Sequence, residues 1–151
     1  MQHLILEITK YFIIVFMGLY TLTCFTVFKP SNADRKSRML NKQIMYVFMI
    51  HFLCYLSLFI RIKDDKIIVF YIAQIVVGVA YMVIYHTLYP KSSRVVTNNM
   101  CFLLLIGYTM LTRIDMSLAY KQFAIATVAL VLVSVIPLIM IKIKSFRNYS
   151  Y

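Results

Sequence analysis

His51 stands near the middle of a long apolar run, and a histidine at that position can relay protons or bind a metal if partners stand nearby. No second His, Asp or Glu lies at comparable depth, so the reading that leads is a neutral imidazole bonded to a neighbouring helix. Gln74, Asn98 and Asn99 are the other deep amides, and such side chains commonly tie helices together in apolar surroundings. A richer polar cluster spans Thr112–Gln122, with Thr112, Arg113, Asp115, Ser117, Lys121 and Gln122. There Arg113 and Asp115 are expected either to form an exposed ion pair of little worth or to leave Arg113 and Lys121 for a phosphate-bearing lipid. No Ser–His–Asp, Cys–His or paired-carboxylate set can be assembled from the chain, so no catalytic residue is assigned. Cys24, Cys54 and Cys101 are widely spaced, which argues against a zinc site or a disulfide framework and for buried free thiols. Neither a metal nor a cofactor is expected. Gly18, Gly78 and Gly107 are too few for a phosphate loop or a dinucleotide fingerprint, and are expected at close helix contacts.

The elements that carry these residues are set by where the charges fall. The chain has 16 Lys and Arg and 5 Asp and Glu, and none lies inside five runs: Tyr11–Phe28, Ile44–Ile60, Ile67–Tyr89, Val95–Leu111 and Phe123–Ile141. The runs hold 18, 17, 23, 17 and 19 residues. Crossing a hydrocarbon layer takes about 17–25 apolar residues. A soluble helix would present a charged face every 3.6 residues or so, and none of these does. Lipid offers backbone amides no partner, so an open chain must cross it as helices. The fold class expected is therefore all-α: a polytopic integral membrane protein of five transmembrane helices. The first run is longer than a signal-peptide core of about 7–15 residues and no small-x-small cleavage site follows it, so it is expected to be retained as a span.

The net charge of +11 does not indicate nucleic acid, because the basic residues flank the spans instead of clustering on one folded face. They suit anionic lipid head groups, for which Arg35, Arg38 and Lys42 are spaced along one face of a short helix at the membrane surface; a solvated loop is the equal alternative. Ser31, Asn32 or Asp34 would cap that helix. With alternating spans, ten Lys and Arg fall on the side of the Lys29–Gln43 connector and six on the other. The excess predicts the N-terminus outside and the C-terminus in the cytoplasm. Pro137 is expected to kink the last span. Ala124, Ala126, Ala129 and Ser134 give that span a small face suited to helix contact. With no tryptophan, Tyr11, Tyr89 and Tyr120 would supply the interfacial belts. Tyr20, Tyr55, Tyr81 and Tyr108 lie deeper and need hydroxyl partners on other helices.

One part of the chain resembles a known family. Asn98-Asn99-Met100, the stretch Ile106-Gly107-Tyr108-Thr109-Met110-Leu111-Thr112-Arg113, and Lys121-Gln122-Phe123 leading into the last span are similar to the opening of the FtsW/RodA/SpoVE cell-wall polymerases of bacteria. The Tyr89–Arg94 connector and Asn41–Ile50 resemble an N-terminal extension found in a subgroup of them. The resemblance implies residues 1–94 as a three-span extension, and residues 95–151 as the first two core helices with a basic cytoplasmic tail. It implies a multi-pass protein of the bacterial plasma membrane that serves cell division or cell shape. A complete member would be a peptidoglycan glycosyltransferase extending strands from a lipid-linked disaccharide beside a transpeptidase. The family's essential aspartate lies in an outer loop of the later half, so Asp115 does not inherit that role. A membrane scaffold lacking the catalytic half, inactive alone, is therefore expected. Arg113, Lys121 and Gln122 are its candidate contacts with lipid carrier or partner. The alternative is a small stand-alone membrane protein that assembles with or regulates a larger complex. A transporter is disfavoured, because no deep charged residue or pair of broken helices marks a substrate site.

Overall fold

The computed structural model describes residues 2–29, 32–90 and 92–148, with side chains through residue 136 and at residue 139. Five helices follow one another: α1 Gln2–Thr26, α2 Ala33–Ile62, α3 Asp65–Leu88, α4 Arg94–Ile114 and α5 Met116–Asn148. Among the described residues there is no strand, and all five helices are long and apolar enough to cross a membrane. The chain is an all-α, multi-pass membrane protein. Only 11% of the α1 span and 33% of the α2 span are buried inside the bundle, so most of each helix faces outward with apolar side chains. In water such a surface would be untenable; in lipid it costs nothing.

The helices exceed the apolar runs because the connectors are themselves helical. The basic connector Lys29–Gln43 is neither a loop nor a separate surface helix. From Ala33 onward it forms the first turns of α2, where no Gly or Pro interrupts good helix formers such as Ala33, Arg35, Lys36, Met39 and Leu40. Asn32 occupies the N-cap position without a side-chain cap bond; Pro30 and Ser31 lie outside the described residues. At 30 residues α2 is about 45 Å long, against a hydrocarbon core of about 30 Å. Likewise α1 begins at Gln2 and takes in Glu7 and Lys10, which form an exposed ion pair at 2.7 Å. The helix α5 runs past Pro137 through Lys142, Lys144 and Arg147, so the basic tail is helical as far as Asn148.

Turns are correspondingly short. Lys63 and Asp64 alone join α2 to α3. Lys63 takes the left-handed conformation (φ 57°) and donates its N–H to the Phe59 carbonyl, while the Asp64 carboxylate accepts from the Lys66 N–H at 3.0 Å. A single residue, Asp115, joins α4 to α5. Its N–H closes α4 on the Leu111 carbonyl at 2.8 Å, and its carboxylate opens α5 by accepting the Ser117 N–H at 2.7 Å.

The most extensive packing is α1 on α2, α2 on α4 and α4 on α5, with α3 lying more lightly on α2, α4 and α5. The central seam is between α2 and α4. Leu40, Gln43, Val47 and Ile50 of α2, and Val95, Asn98, Cys101, Leu105, Tyr108 and Thr112 of α4, are buried there at spacings of three and four. That spacing is the signature of closely aligned helices with interlocking side chains. Here they run in the same direction, since Asn41, Gln43 and Tyr55 of α2 meet Arg94, Asn98 and Thr112 of α4 in ascending order. The small residues of α5 do not form a buried face: Ala126 is buried, whereas Ala124 and Ala129 are exposed. Of the glycines, Gly78 alone approaches a neighbouring helix, where an added Cβ would stand 3.8 Å from Cys101 Sγ. Gly18 and Gly107 face open space.

Candidate functional site

The proposed contact residues come to one end of the molecule but do not form a pocket. Arg113 is in the last turn of α4; Lys121 and Gln122 are in the second turn of α5. All three are exposed, and their side chains make no hydrogen bond or ion pair with the described residues. The expected pairing of Arg113 with Asp115 is absent. The Asp115 carboxylate is held instead by Ser117, because capping α5 from a one-residue turn commits it to that N–H. The same bonds keep its carboxyl below the ordinary carboxylate value, with Lys121 adding a smaller attraction. Arg113 and Lys121 therefore present one guanidinium and one ammonium group outward from a helix hairpin, a geometry able to meet an anionic group at the membrane surface.

Two buried polar networks lie deeper. The first joins α1, α2 and α4 near the Arg94 end. The Tyr20 hydroxyl donates to Asn99 Oδ1 at 2.5 Å, and its ring stacks on Phe102 at 4.2 Å. Asn98 Nδ2 donates to Gln43 Oε1 at 3.0 Å and to the Leu40 carbonyl at 3.3 Å, while Gln43 Nε2 reaches Cys24 Sγ at 2.9 Å. At the rim, the Arg94 guanidinium donates to Asn41 Oδ1 at 2.7 Å and Ser37 Oγ at 3.3 Å. Both acceptors are neutral, so the charge of Arg94 is not balanced by a carboxylate. It lines a cavity of about 190 Å3 together with His86, Ser92, Thr97 and the apolar side chains of Ile44 and Met82.

The second network joins α2, α3 and α4. Tyr55 and Thr112 hydroxyls are 2.9 Å apart, Gln74 Nε2 donates to the Tyr55 hydroxyl at 2.7 Å, and Thr112 Oγ1 donates to the Tyr108 carbonyl at 2.7 Å. His51 sits beside it, 2% exposed. Its ring lies edge-on to Tyr55 at 4.8 Å and stacked with Tyr71 at 5.2 Å. Its one polar approach is Nδ1 to Thr109 Oγ1 at 3.5 Å, the outer limit of a hydrogen bond, and Nε2 has no partner. The expected helix-to-helix bond is thus present but long, and aromatic packing supplies the rest of the hold on this imidazole. Among the described residues no three His, Cys, Asp or Glu side chains converge as metal ligands do.

The deep tyrosines divide. Tyr20 and Tyr55 find the cross-helix partners expected of them, and Tyr81 reaches only Met100 Sδ at 3.9 Å. Tyr108 finds none. Tyr89, expected in the interfacial belt, donates its hydroxyl across to the Ser134 carbonyl of α5 at 2.6 Å. Gln74, Asn98 and Asn99 tie helices together as their residue types predict. What sequence reasoning missed is Arg94 in its cavity and the convergence of Tyr55 with Gln74 and Thr112. Only the location of polar residues within apolar runs could have signalled the latter. No family model, curated protein or solved structure matches the chain.

Proposed function

We propose that this chain is a scaffold of the bacterial plasma membrane, the N-terminal membrane portion of a cell-wall polymerase of the FtsW/RodA/SpoVE type. The observation that carries the reading is the likeness of Asn98–Phe123 to the opening of that family's core, carried here on the α4–α5 hairpin. In this role α4 and α5 begin the core, and α1–α3 form an extension fastened to it through Tyr20–Asn99, Gln43–Asn98 and Tyr55–Thr112. The N-terminus faces outward and the C-terminus the cytoplasm, which sets Arg113, Lys121 and Gln122 at the outer surface toward a lipid-linked disaccharide or a transpeptidase. The basic rim at Arg35, Arg38 and Lys42 faces anionic head groups of the inner leaflet. This chain contributes binding and position, and glycan synthesis belongs to residues it does not contain.

The test is recovery of partners. The tagged chain, expressed in a walled bacterium and cross-linked through cysteines introduced at Arg113, Lys121 or Gln122, should bring down a protein labelled by fluorescent penicillin, the mark of a transpeptidase. Failure at all three positions, with control positions on α3 equally silent, would overturn the reading.

A stand-alone subunit of another membrane complex is the second reading. It is favoured by an apolar groove of about 350 Å3 between α3 and α5, lined by residues including Val77, Ile84, Leu130 and Val135. Cross-linking from the groove, but not from Arg113 or Lys121, to a partner that penicillin does not label would select it.

A further inference from the structure

The second polar network is a chain of hydrogen bonds with a direction. Thr112 donates to the Tyr108 carbonyl, so its oxygen is available to accept from Tyr55. Tyr55 in turn accepts from Gln74 Nε2. Protons therefore point one way, from the Gln74 amide to the Tyr55 hydroxyl, to the Thr112 hydroxyl, to the backbone of Tyr108. The two loose ends of this chain are Gln74 Oε1, which lacks a donor, and the Tyr108 hydroxyl, which lacks an acceptor. Both residues are at least nine-tenths buried, at 1% and 5% exposure. Both line the same small cavity between α3, α4 and α5, about 20 Å3 in volume.

We infer that this cavity is a binding site for one ordered water molecule, which accepts from the Tyr108 hydroxyl and donates to Gln74 Oε1. A site for internal water must be polar, must offer roughly 10–15 Å3 or more to the water, and must supply two to four partners. The volume suffices for one water and excludes anything larger. The third contact is the Cys101 thiol, a weak partner whose sulfur also lines the cavity beside Gly78. Lipid offers neither loose end a partner, and a buried polar group left unpaired there is costly, so the site should be filled. Binding closes the chain into a ring: Gln74, Tyr55, Thr112, the α4 backbone, Tyr108, water, and Gln74 again. The ring is closed covalently through Tyr108, whose hydroxyl donates at one end and whose carbonyl accepts at the other. Between them water, Gln74, Tyr55 and Thr112 each donate and accept, and each bond polarises the next. The ring spans α2, α3 and α4, and it explains why a glutamine and two tyrosines are kept at bilayer depth without any ionisable partner.

The experiment is water-to-protein magnetisation transfer by solid-state NMR on the full chain in lipid bilayers, with labelled Gln and Tyr. Water contacts are expected at the Gln74 side-chain amide and the Tyr108 ring, and should be absent at Phe70 and Ile50, which are buried away from the cavity and are labelled in a parallel sample. Gly78→Ala adds a methyl group that meets only Cys101 Sγ at ordinary contact distance, so the fold should survive while the cavity fills. Both water contacts should vanish in Gly78→Ala, and the Gln74 contact should also vanish in Tyr108→Phe. Absence of both contacts in the unaltered protein would overturn the inference. So would their persistence in Gly78→Ala, or a direct bond from Tyr108 to Gln74 in a high-resolution structure.

Discussion

Single side chains settle two matters that charge counting left open. Asp115 ends one helix and begins the next, which is why it is not paired with Arg113. Its lowered carboxyl value means that the bond to Ser117 contributes stability above the ordinary carboxylate range, near 3.8, and is lost as pH falls through the lower folded value. The Ser117 amide resonance should therefore titrate with a midpoint below 3.8, and Asp115→Asn should abolish that titration while keeping a cap. A midpoint above the ordinary value would refute the capping account. Tyr55 is the branch point of the deeper network, bonded to both Gln74 and Thr112. Tyr55→Phe should lower unfolding stability in detergent by about 1–2 kcal/mol, the range for hydrogen bonds between membrane helices with a second partner stranded. Leu58→Ala, which leaves the network intact, gives the comparison for lost packing alone. His51, the first residue to attract a chemical reading, turns out to be packed by tyrosine rings. A histidine's type was legible, but its surroundings depend on which helices meet, and that no spacing within one run could give.

The number of helices and their apolar spans were legible because the requirement for uninterrupted hydrocarbon-soluble residues is written locally, residue by residue. Which face of each helix turns inward was not. In a soluble protein the interior and the solvent differ in polarity, so a helix advertises its buried face; in a bilayer both are apolar and the contrast disappears. Positions such as Val47 and Val83 look alike in the chain, yet one is 1% and the other 59% exposed. Helix ends were misjudged for a related reason. Charged residues mark where hydrocarbon stops but do not stop a helix, so α2 continues back through Lys42, Arg38 and Arg35. What does stop it is Lys63, whose left-handed backbone disfavours any side chain with a Cβ. Lys63→Gly should be neutral or stabilising by up to about 1 kcal/mol, and Lys63→Val destabilising by about 1 kcal/mol or more, in thermal unfolding of the reconstituted protein. Equal midpoints for the two variants would show that the turn does not depend on that conformation.

At the level of the whole molecule, orientation is the claim on which the outer-surface role of Arg113 and Lys121 depends. The chain lends itself to direct measurement. With its native cysteines changed to serine, a cysteine at Lys63 or Arg113 should react with a membrane-impermeant maleimide in intact cells, and one at Arg35 only after lysis. The reverse pattern would invert the topology and move the proposed partner contacts to the cytoplasm. A further property follows from the bond that Asp115 makes on either side of itself. With one residue separating α4 from α5, there is no slack to absorb a change in chain length. Inserting an alanine after Asp115 must either break the cap or turn α5 about its axis by about 100° relative to α4. The second outcome would swing Ala126 from the bundle into lipid and carry Ser134 away from the Tyr89 hydroxyl. Helical phase at this corner is thus geared to a single peptide unit, and sequences sharing this architecture should tolerate substitution there far better than insertion or deletion.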